Sequence, residues 1–299
     1  NMLKITNLNK SFGSKNVLKN ISFSAPAGKI TGFIGKNGSG KTTTFHSILN
    51  FIDYSGNITF NDKRIDENSY ANIGYLPEER SLMPKLTVYS QVKYLANLKG
   101  MSTAEVKSEL PKWLDRLQVV GKMNDKIKSL SKGNQQKIQL IATLIHKPDL
   151  IILDEPFSGL DPVNTDLLKQ VIFAEQARGA TIIFSDHSMN NVEELCDNVI
   201  MINNGLKVLD GSIQDVRESF GLTRIFVRTP MTETELASLP HVISVNLTKN
   251  GSYRLVIDDE QAGKELYSLL TKGEYIRTFN QEAPTLDEIF KMKAGETIA

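Results

Sequence analysis

The stretch GKNGSGKT, residues 35 to 42, constrains this chain more than any other eight residues in it. It fills the pattern Gly-x4-Gly-Lys-Thr without a gap. Such a loop must curl until its N–H groups converge on one point, and glycines tolerate that backbone where other residues do not. A strand reading KITGFIG (29–35) leads into it and a helix reading KTTTFHSILN (41–50) leads out, so the positive end of the helix faces the same point. The pattern predicts a phosphate cradle built from Gly35, Asn37, Gly38, Ser39, Gly40 and Thr43. Lys41 is expected to reach the β- and γ-phosphates, and the Thr42 hydroxyl to bind Mg²⁺.

A second strand narrows the chemistry. LIILDEP (150–156) runs four apolar residues into two carboxylates, so a buried strand ends abruptly in charge. Beside a phosphate loop, Asp154 is placed to hold Mg²⁺, directly or through water, and Glu155 to polarise an attacking water. ATIIFSDH (180–187) reads as a third buried strand. Short apolar strands alternate with helical stretches up to about residue 211, the pattern of an α/β domain with a largely parallel sheet. The pattern breaks between about 87 and 146, where TVYSQVKYLANLKG, STAEVKSELPKWLDRL and SKGNQQKIQLIATLIH predict successive helices. The second of these opens with a Ser102-x-x-Glu105 capping box.

After INNGLKVLDG, a predicted hairpin, the order becomes strand (224–229), helix (231–239), strand (242–248), an Asn250-Gly251 turn, strand (252–257), helix (261–271) and strand (274–279). That β-α-β-β-α-β order predicts a small α+β domain of ferredoxin-like type over 222–299, behind a first domain over 2–221. The closing TLDEIFKMK carries Leu286, Ile289 and Phe290 as an apolar stripe and is expected to dock on a neighbouring surface. Residues 222–299 are expected either to pair with their twin or with the main domain and limit how a dimer opens, or to serve as a stabilising appendage.

Composition limits the partners. With 35 basic and 34 acidic residues the net charge is +1, so no global field draws the chain to nucleic acid or an acidic membrane surface. The single cysteine, Cys196, lies at helical spacing in VEELCDNV and reads as core, which suits a reducing cytosol. No apolar run approaches the roughly 18 residues that span a bilayer, so the chain is expected to be soluble by itself. NMLKITNL lacks the pattern of a signal peptide, and the Asn before Met2 reads as a cloning remnant.

Taken in order, GKNGSGKT, LSKGN (130–134), ILDEP (152–156), SGLD (158–161) and FSDHSM (184–189) resemble the nucleotide-binding subunit of an ATP-binding cassette (ABC) transporter over residues 2 to about 220. The resemblance implies a P-loop NTPase fold with a helical subdomain, ATP and Mg²⁺ as ligands, and ATP sandwiched between two copies. It assigns Ser131 and Gly133, with Lys132, Asn134 and Gln135 around them, to the γ-phosphate of the partner copy. Asp161 falls at the dimer seam, and His187 is placed to hydrogen-bond the γ-phosphate. The resemblance also implies an integral membrane permease partner, whose cytoplasmic helix the helical insertion receives at the inner face of a bacterial cell membrane.

Departures from the family pattern carry their own chemistry. The signature usually written LSGGQ has Lys132 at its third position and Asn134 at its fifth. A lysine adds a cation where the ligand is anionic, and asparagine keeps the amide, so the changes read as dialect rather than loss. Glu78 stands where glutamine is common; its carboxylate still suits Mg²⁺ or its waters but adds negative charge near the triphosphate. Phe12, with Val17 beneath it, offers a phenyl face for adenine where tyrosine is more frequent. Glu78, LSKGNQQK and the C-terminal extension together resemble bacterial ABC-2-type exporter ATPases, a subgroup with sodium-efflux and antibiotic-resistance members. A nucleotide-gated regulatory module with little hydrolysis is the alternative, and a translation-factor or DNA-repair ATPase fits the short loop-to-signature spacing less well.

Overall fold

The structure, a computed structural model, describes residues 2–79 and 81–295. In chain order the first part runs β1 (Met2–Phe12), β2 (Lys15–Pro26), β3 (Ile30–Ile34), α1 (Lys41–Ile48), β4 (Ser55–Phe60), β5 (Lys63–Arg64), β6 (Ile73–Leu76), α2 (Val88–Leu98), α3 (Thr103–Arg116) and α4 (Lys132–Leu144). It continues through β7 (Leu150–Asp154), α5 (Pro162–Ala177), β8 (Thr181–Ser185), α6 (Met189–Leu195), β9 (Asn198–Asn203) and β10 (Leu206–Ser212). The chain divides into two compact units between Gly211 and Ser212.

Unit one holds a sheet of order β10-β9-β3-β8-β7-β6, in which β9, β3, β8, β7 and β6 pair in parallel. Every residue of β3, β7 and β8 is buried, as strands covered on both faces require. A second sheet, β2-β1-β4-β5, is antiparallel throughout. The sequence reading expected alternating strands and helices here; what it lacked was this hairpin-built sheet, whose strands pair locally and need no crossover helix. One core joins both sheets to α1: Leu3, Ile5 and Phe23 meet Phe33 of β3 and Phe45 of α1, with ring centroids 5.4 Å apart for Phe23–Phe33 and 5.5 Å for Phe33–Phe45.

Helices α2, α3 and α4 pack on one another as the expected insertion. Both arms of the Ser102–Glu105 box form, with the Ser102 N–H donating to Glu105 Oε2 at 2.7 Å and the Glu105 N–H to Ser102 Oγ at 3.2 Å. Cys196 is buried, its thiol pushed well up by burial. No described helix is long and apolar enough to cross a membrane.

Unit two contains α7 (Ile213–Glu218), β11 (Arg224–Arg228), α8 (Glu233–Ala237), β12 (Val242–Leu247), β13 (Tyr253–Ile257), α9 (Gly263–Thr271), β14 (Thr278–Glu282) and α10 (Leu286–Lys293). Its antiparallel sheet, ordered β12-β13-β11-β14, is the ferredoxin-like arrangement, with Ile225, Val227, Leu255, Leu236 and Leu266 in its core. Most starts lie within two residues of the sequence reading, α8 for instance running Glu233–Ala237 rather than 231–239, and two starts differ by more. The last strand begins at Thr278 rather than 274, because Lys272 and Gly273 take left-handed φ of 49° and 78° and the chain turns before it pairs. Pairing Phe279 with Val227 then points Phe279 at the core, a choice that Ile276 three residues earlier leaves open in the sequence. The unit also starts at 212 rather than 222, because α7 packs on α10 and the Arg217 guanidinium donates to Pro284 O at 2.9 Å and Ala283 O at 3.3 Å. Within the α10 stripe Leu286 and Ile289 are fully buried and Phe290 is half-buried.

Candidate functional site: a cleft at the carboxyl ends of four parallel strands

The chain leaves β3, β8, β7 and β6, neighbours in one sheet, at the same edge, where open α/β sheets bind ligands. After β3 comes the glycine loop, after β8 His187, at the end of β7 Asp154 and Glu155, and after β6 Glu78. A cleft of about 510 Å³ collects Asn37, Gly38, Gly40, Lys41, Thr42, Thr43, Glu78, Asp154, Glu155 and His187. The β1–β2 hairpin adds Phe12, Lys15 and Val17 to its rim.

The glycines are demanded by the backbone. A Cβ on Gly35 would lie 2.4 Å from Ile202 O and 2.5 Å from Ser39 Oγ. Gly40 has φ 113°, and a Cβ there would lie 2.6 Å from Leu18 Cδ2. As the N-cap of α1, Gly40 supplies no side-chain cap, so the first-turn amides of that helix keep their capacity for an anion. The Lys41 ammonium is held over the loop by Gly35 O at 2.7 Å and Lys36 O at 3.3 Å. Burial lowers its pKa, and the carboxylates of Glu155, Asp154 and Glu78 pull it back.

Asp154 and Glu155 are buried, at 2% and 6% exposure, rather than facing solvent at the strand end. Asp154 Oδ1 accepts from the Ser185 hydroxyl at 2.6 Å, while Oδ2 is buried without a hydrogen-bond partner among the described residues. Burial raises the Asp154 carboxyl and the Ser185 bond partly offsets it. Glu155 sits at φ 52°, a left-handed conformation that costs a non-glycine residue about 1–3 kcal/mol. Its Oε2 accepts from the His187 backbone N–H at 3.2 Å, and Oε1 lies 3.3 Å from His187 Nε2 without hydrogen-bond alignment. Burial, then the neighbouring Asp186 carboxylate, push Glu155 up to about 7. Among the described residues no three His, Cys, Asp or Glu side chains form a metal cluster. The orphaned Asp154 Oδ2 and the exposed Thr42 beside it in the cleft fit instead a hard cation that takes most of its ligands from phosphate and water.

Phe12 is 51% exposed, so it is no core residue; the Lys10 ammonium lies 4.9 Å from its ring centroid. Ser131 to Gln135 and Asp161 do not join the cleft. Ser131 is the N-cap of α4, its hydroxyl accepting from Asn134 N at 3.2 Å and Asn134 Nδ2 at 3.1 Å. Asn134 Oδ1 accepts in turn from Val120 N at 3.1 Å, and the Lys132 side chain is exposed with no hydrogen bond or ion pair to a described residue. Asp161 caps α5 through Asn164 N at 3.0 Å, which lowers its pKa. Sequence reasoning missed Lys15, Ser185 and Asp186. The two last stand beside His187 in FSDH, and only the pairing of β8 with β7 shows what they touch.

Comparison with known proteins places this geometry. Residues 18–158 match the family described as ABC transporter, and residues 211–294 the family described as ATP-binding protein DrrA1-3-like, C-terminal domain. The ABC transporter ATP-binding protein YhaQ of Bacillus subtilis is 40% identical over 98% of this chain and 99% of its own length. The chain belongs to the ABC transporter ATP-binding proteins. The linearmycin resistance ATP-binding protein LnrL of the same organism is 30% identical over 99% of both chains. Among solved structures, an ATP-binding subunit of an ABC transporter superposes with TM-score 0.70 at 30% identity, covering 74% of this chain and 94% of that one. As an ABC ATP-binding protein, the chain is an ATPase of the exporter-like group that carries a DrrA-like C-terminal domain.

Proposed function

We propose that the cleft binds MgATP and hydrolyses it between two copies of this subunit, and that the cycle drives a separate membrane permease that exports its cargo. The observation that supports this most is the convergence, in one cleft, of an uncapped helix start, a tethered lysine and a buried carboxylate with one bare oxygen. The loop amides and Lys41 bind the phosphates, Phe12 and Val17 receive adenine, and Asp154, Thr42 and Glu78 hold Mg²⁺ directly or through water. Mg²⁺ held by these residues would supply charge neutralisation at the phosphates. Glu155 accepts the proton of the attacking water; a carboxyl near neutrality is suited to that task. His187, half-exposed on the same cleft, donates to the γ-phosphate.

The second copy completes the site with Ser131 and Gly133. The Ser131 oxygen accepts from both donors of Asn134, which leaves its own proton to donate outward. Gly133 sits in a helix with normal φ, and a Cβ there would meet nothing closer than Leu160 Cδ2 at 3.7 Å. Nothing inside the subunit requires a glycine there, which costs about 1 kcal/mol in a helix, so an approaching ligand is the better reason for it. Asp161, exposed at the start of α5, belongs to the dimer seam. In this reading the exposed Tyr94 and Leu98 of α2 and Met83 before it offer the permease's cytoplasmic helix an apolar surface, and the subunit works at the cytoplasmic face of a bacterial membrane. Glu155→Gln tests the assignment: it is expected to bind MgATP, stop turnover and accumulate a dimer in size-exclusion with ATP but not ADP. Hydrolysis at the parent rate would remove Glu155 from the mechanism.

A further inference from the structure

Ser185 ends β8 directly opposite Asp154 at the end of β7. It is fully buried, and one atom, its Oγ, serves both carboxylate residues of the cleft. The hydroxyl donates to Asp154 Oδ1 at 2.6 Å, the short contact of a charge-assisted bond. The same oxygen accepts from the Glu155 backbone N–H at 3.2 Å, an N–H that also reaches Ser185 O at 3.2 Å. With that N–H on one lone pair, the hydroxyl proton is directed to Oδ1. A carboxylate held by one oxygen cannot swing, and Oδ2 is left as the partnerless oxygen of a cleft-lining group. The N–H contact meanwhile braces Glu155 in its left-handed backbone at φ 52°, a conformation that persists only where surroundings enforce it.

We propose that Ser185 is a positioning residue for the metal–nucleotide complex: its buried hydroxyl fixes Asp154 so that Oδ2 alone is presented to a divalent cation, and braces Glu155 through the same atom. The proposal rests on the assignment of the cleft to MgATP. A serine that merely glues β7 to β8 would affect stability without touching cation dependence. Loss of the hydroxyl leaves both Asp154 oxygens bare and the carboxylate free to turn, and loss of such an outer partner typically weakens metal affinity about 10–100-fold.

The test is calorimetric binding of adenylyl-imidodiphosphate to the full chain, in EDTA and across a Mg²⁺ titration. Ser185→Ala is expected to match the parent in EDTA, where loop and lysine do the binding, and to raise the half-saturating Mg²⁺ concentration at least about ten-fold. Ser185→Thr, which keeps the hydroxyl, is expected to restore the parent value. If Ser185→Ala does not fold, Ser185→Cys, which keeps the bulk and weakens the donor, carries the same comparison. A half-saturating Mg²⁺ concentration equal to the parent's overturns the proposal, as does an equal loss of affinity in EDTA and in Mg²⁺. A parent chain that binds the analogue under neither condition overturns the nucleotide assignment itself.

Discussion

At the scale of residues, Glu155 carries opposite consequences for stability and for chemistry. Its carboxyl is raised from an ordinary 4.5 to about 7 because burial and Asp186 disfavour the charge. The folded state therefore holds that proton more tightly than the unfolded chain does. The stability this gives is fully present below pH 4.5 and is lost as pH rises through about 7, on the order of 3 kcal/mol by the alkaline side. Glu155→Gln cannot ionise, so the nucleotide-free variant is expected to melt progressively higher than the parent between pH 4.5 and 7 and at a constant margin above it. A margin that does not change with pH would refute the buried-charge account. At the signature, the exposed Lys132 side chain makes no hydrogen bond or ion pair with a described residue, and Lys132→Gly is expected to keep substantial ATPase activity. Ser131→Arg is expected to abolish turnover while each monomer still binds one ATP. Loss of monomer binding would contradict a role in trans.

Among elements, α10 shows how a narrow stripe earns its place. Leu286 and Ile289 are fully buried, Glu288 closes a capping box with Thr285 and also pairs with the Arg224 guanidinium at 3.3 Å and with Arg254. One carboxylate shared by the buried Arg224 and the half-buried Arg254 needs the helix in place, since its removal would leave both guanidiniums without it. Ile289→Ala is expected to cost unit two about 2–5 kcal/mol through the cavity it opens. Calorimetry should show a unit-two transition moved down and a nucleotide-stabilised unit-one transition unmoved. Helix α1 is the contrasting element: Phe45 and Ile48 anchor it in the core of both sheets, while its uncapped start keeps its amides for a ligand.

For the whole molecule, the division at Gly211/Ser212 sets where the chain can be cut. Ending it after Ser212 is expected to leave a folded unit that binds ATP as the full chain does. Ending it after Gly221 strands α7, whose Arg217 loses the Pro284 and Ala283 carbonyls, so that fragment is expected to be less soluble and more readily proteolysed near 213–221. Equal protease resistance of the two fragments would place α7 with the first unit instead. Whether unit two limits how the dimer opens is tested by the fragment ending at Ser212 against the full chain: equal dimerisation and ATPase rates would make unit two a stabilising appendage.

Much of this was written in local sequence. The phosphate loop, the LIILDEP strand, the capping box and the ferredoxin-like order depend on short-range backbone preference and period, which neighbouring residues suffice to encode. The family resemblance supplied the roles of Ser131, Asp161 and His187, which no local rule predicts. Tertiary structure alone decided the rest. The antiparallel sheet of unit one, the start of β14 and the attachment of α7 to α10 are choices among locally equivalent pairings, settled by which apolar faces meet. Ser185 and Asp186 were unreadable because a hydroxyl and a carboxylate acquire meaning from what lies across the sheet, and the register of β8 on β7 sets Ser185 thirty-one residues from Asp154 in sequence and 2.6 Å from it in space.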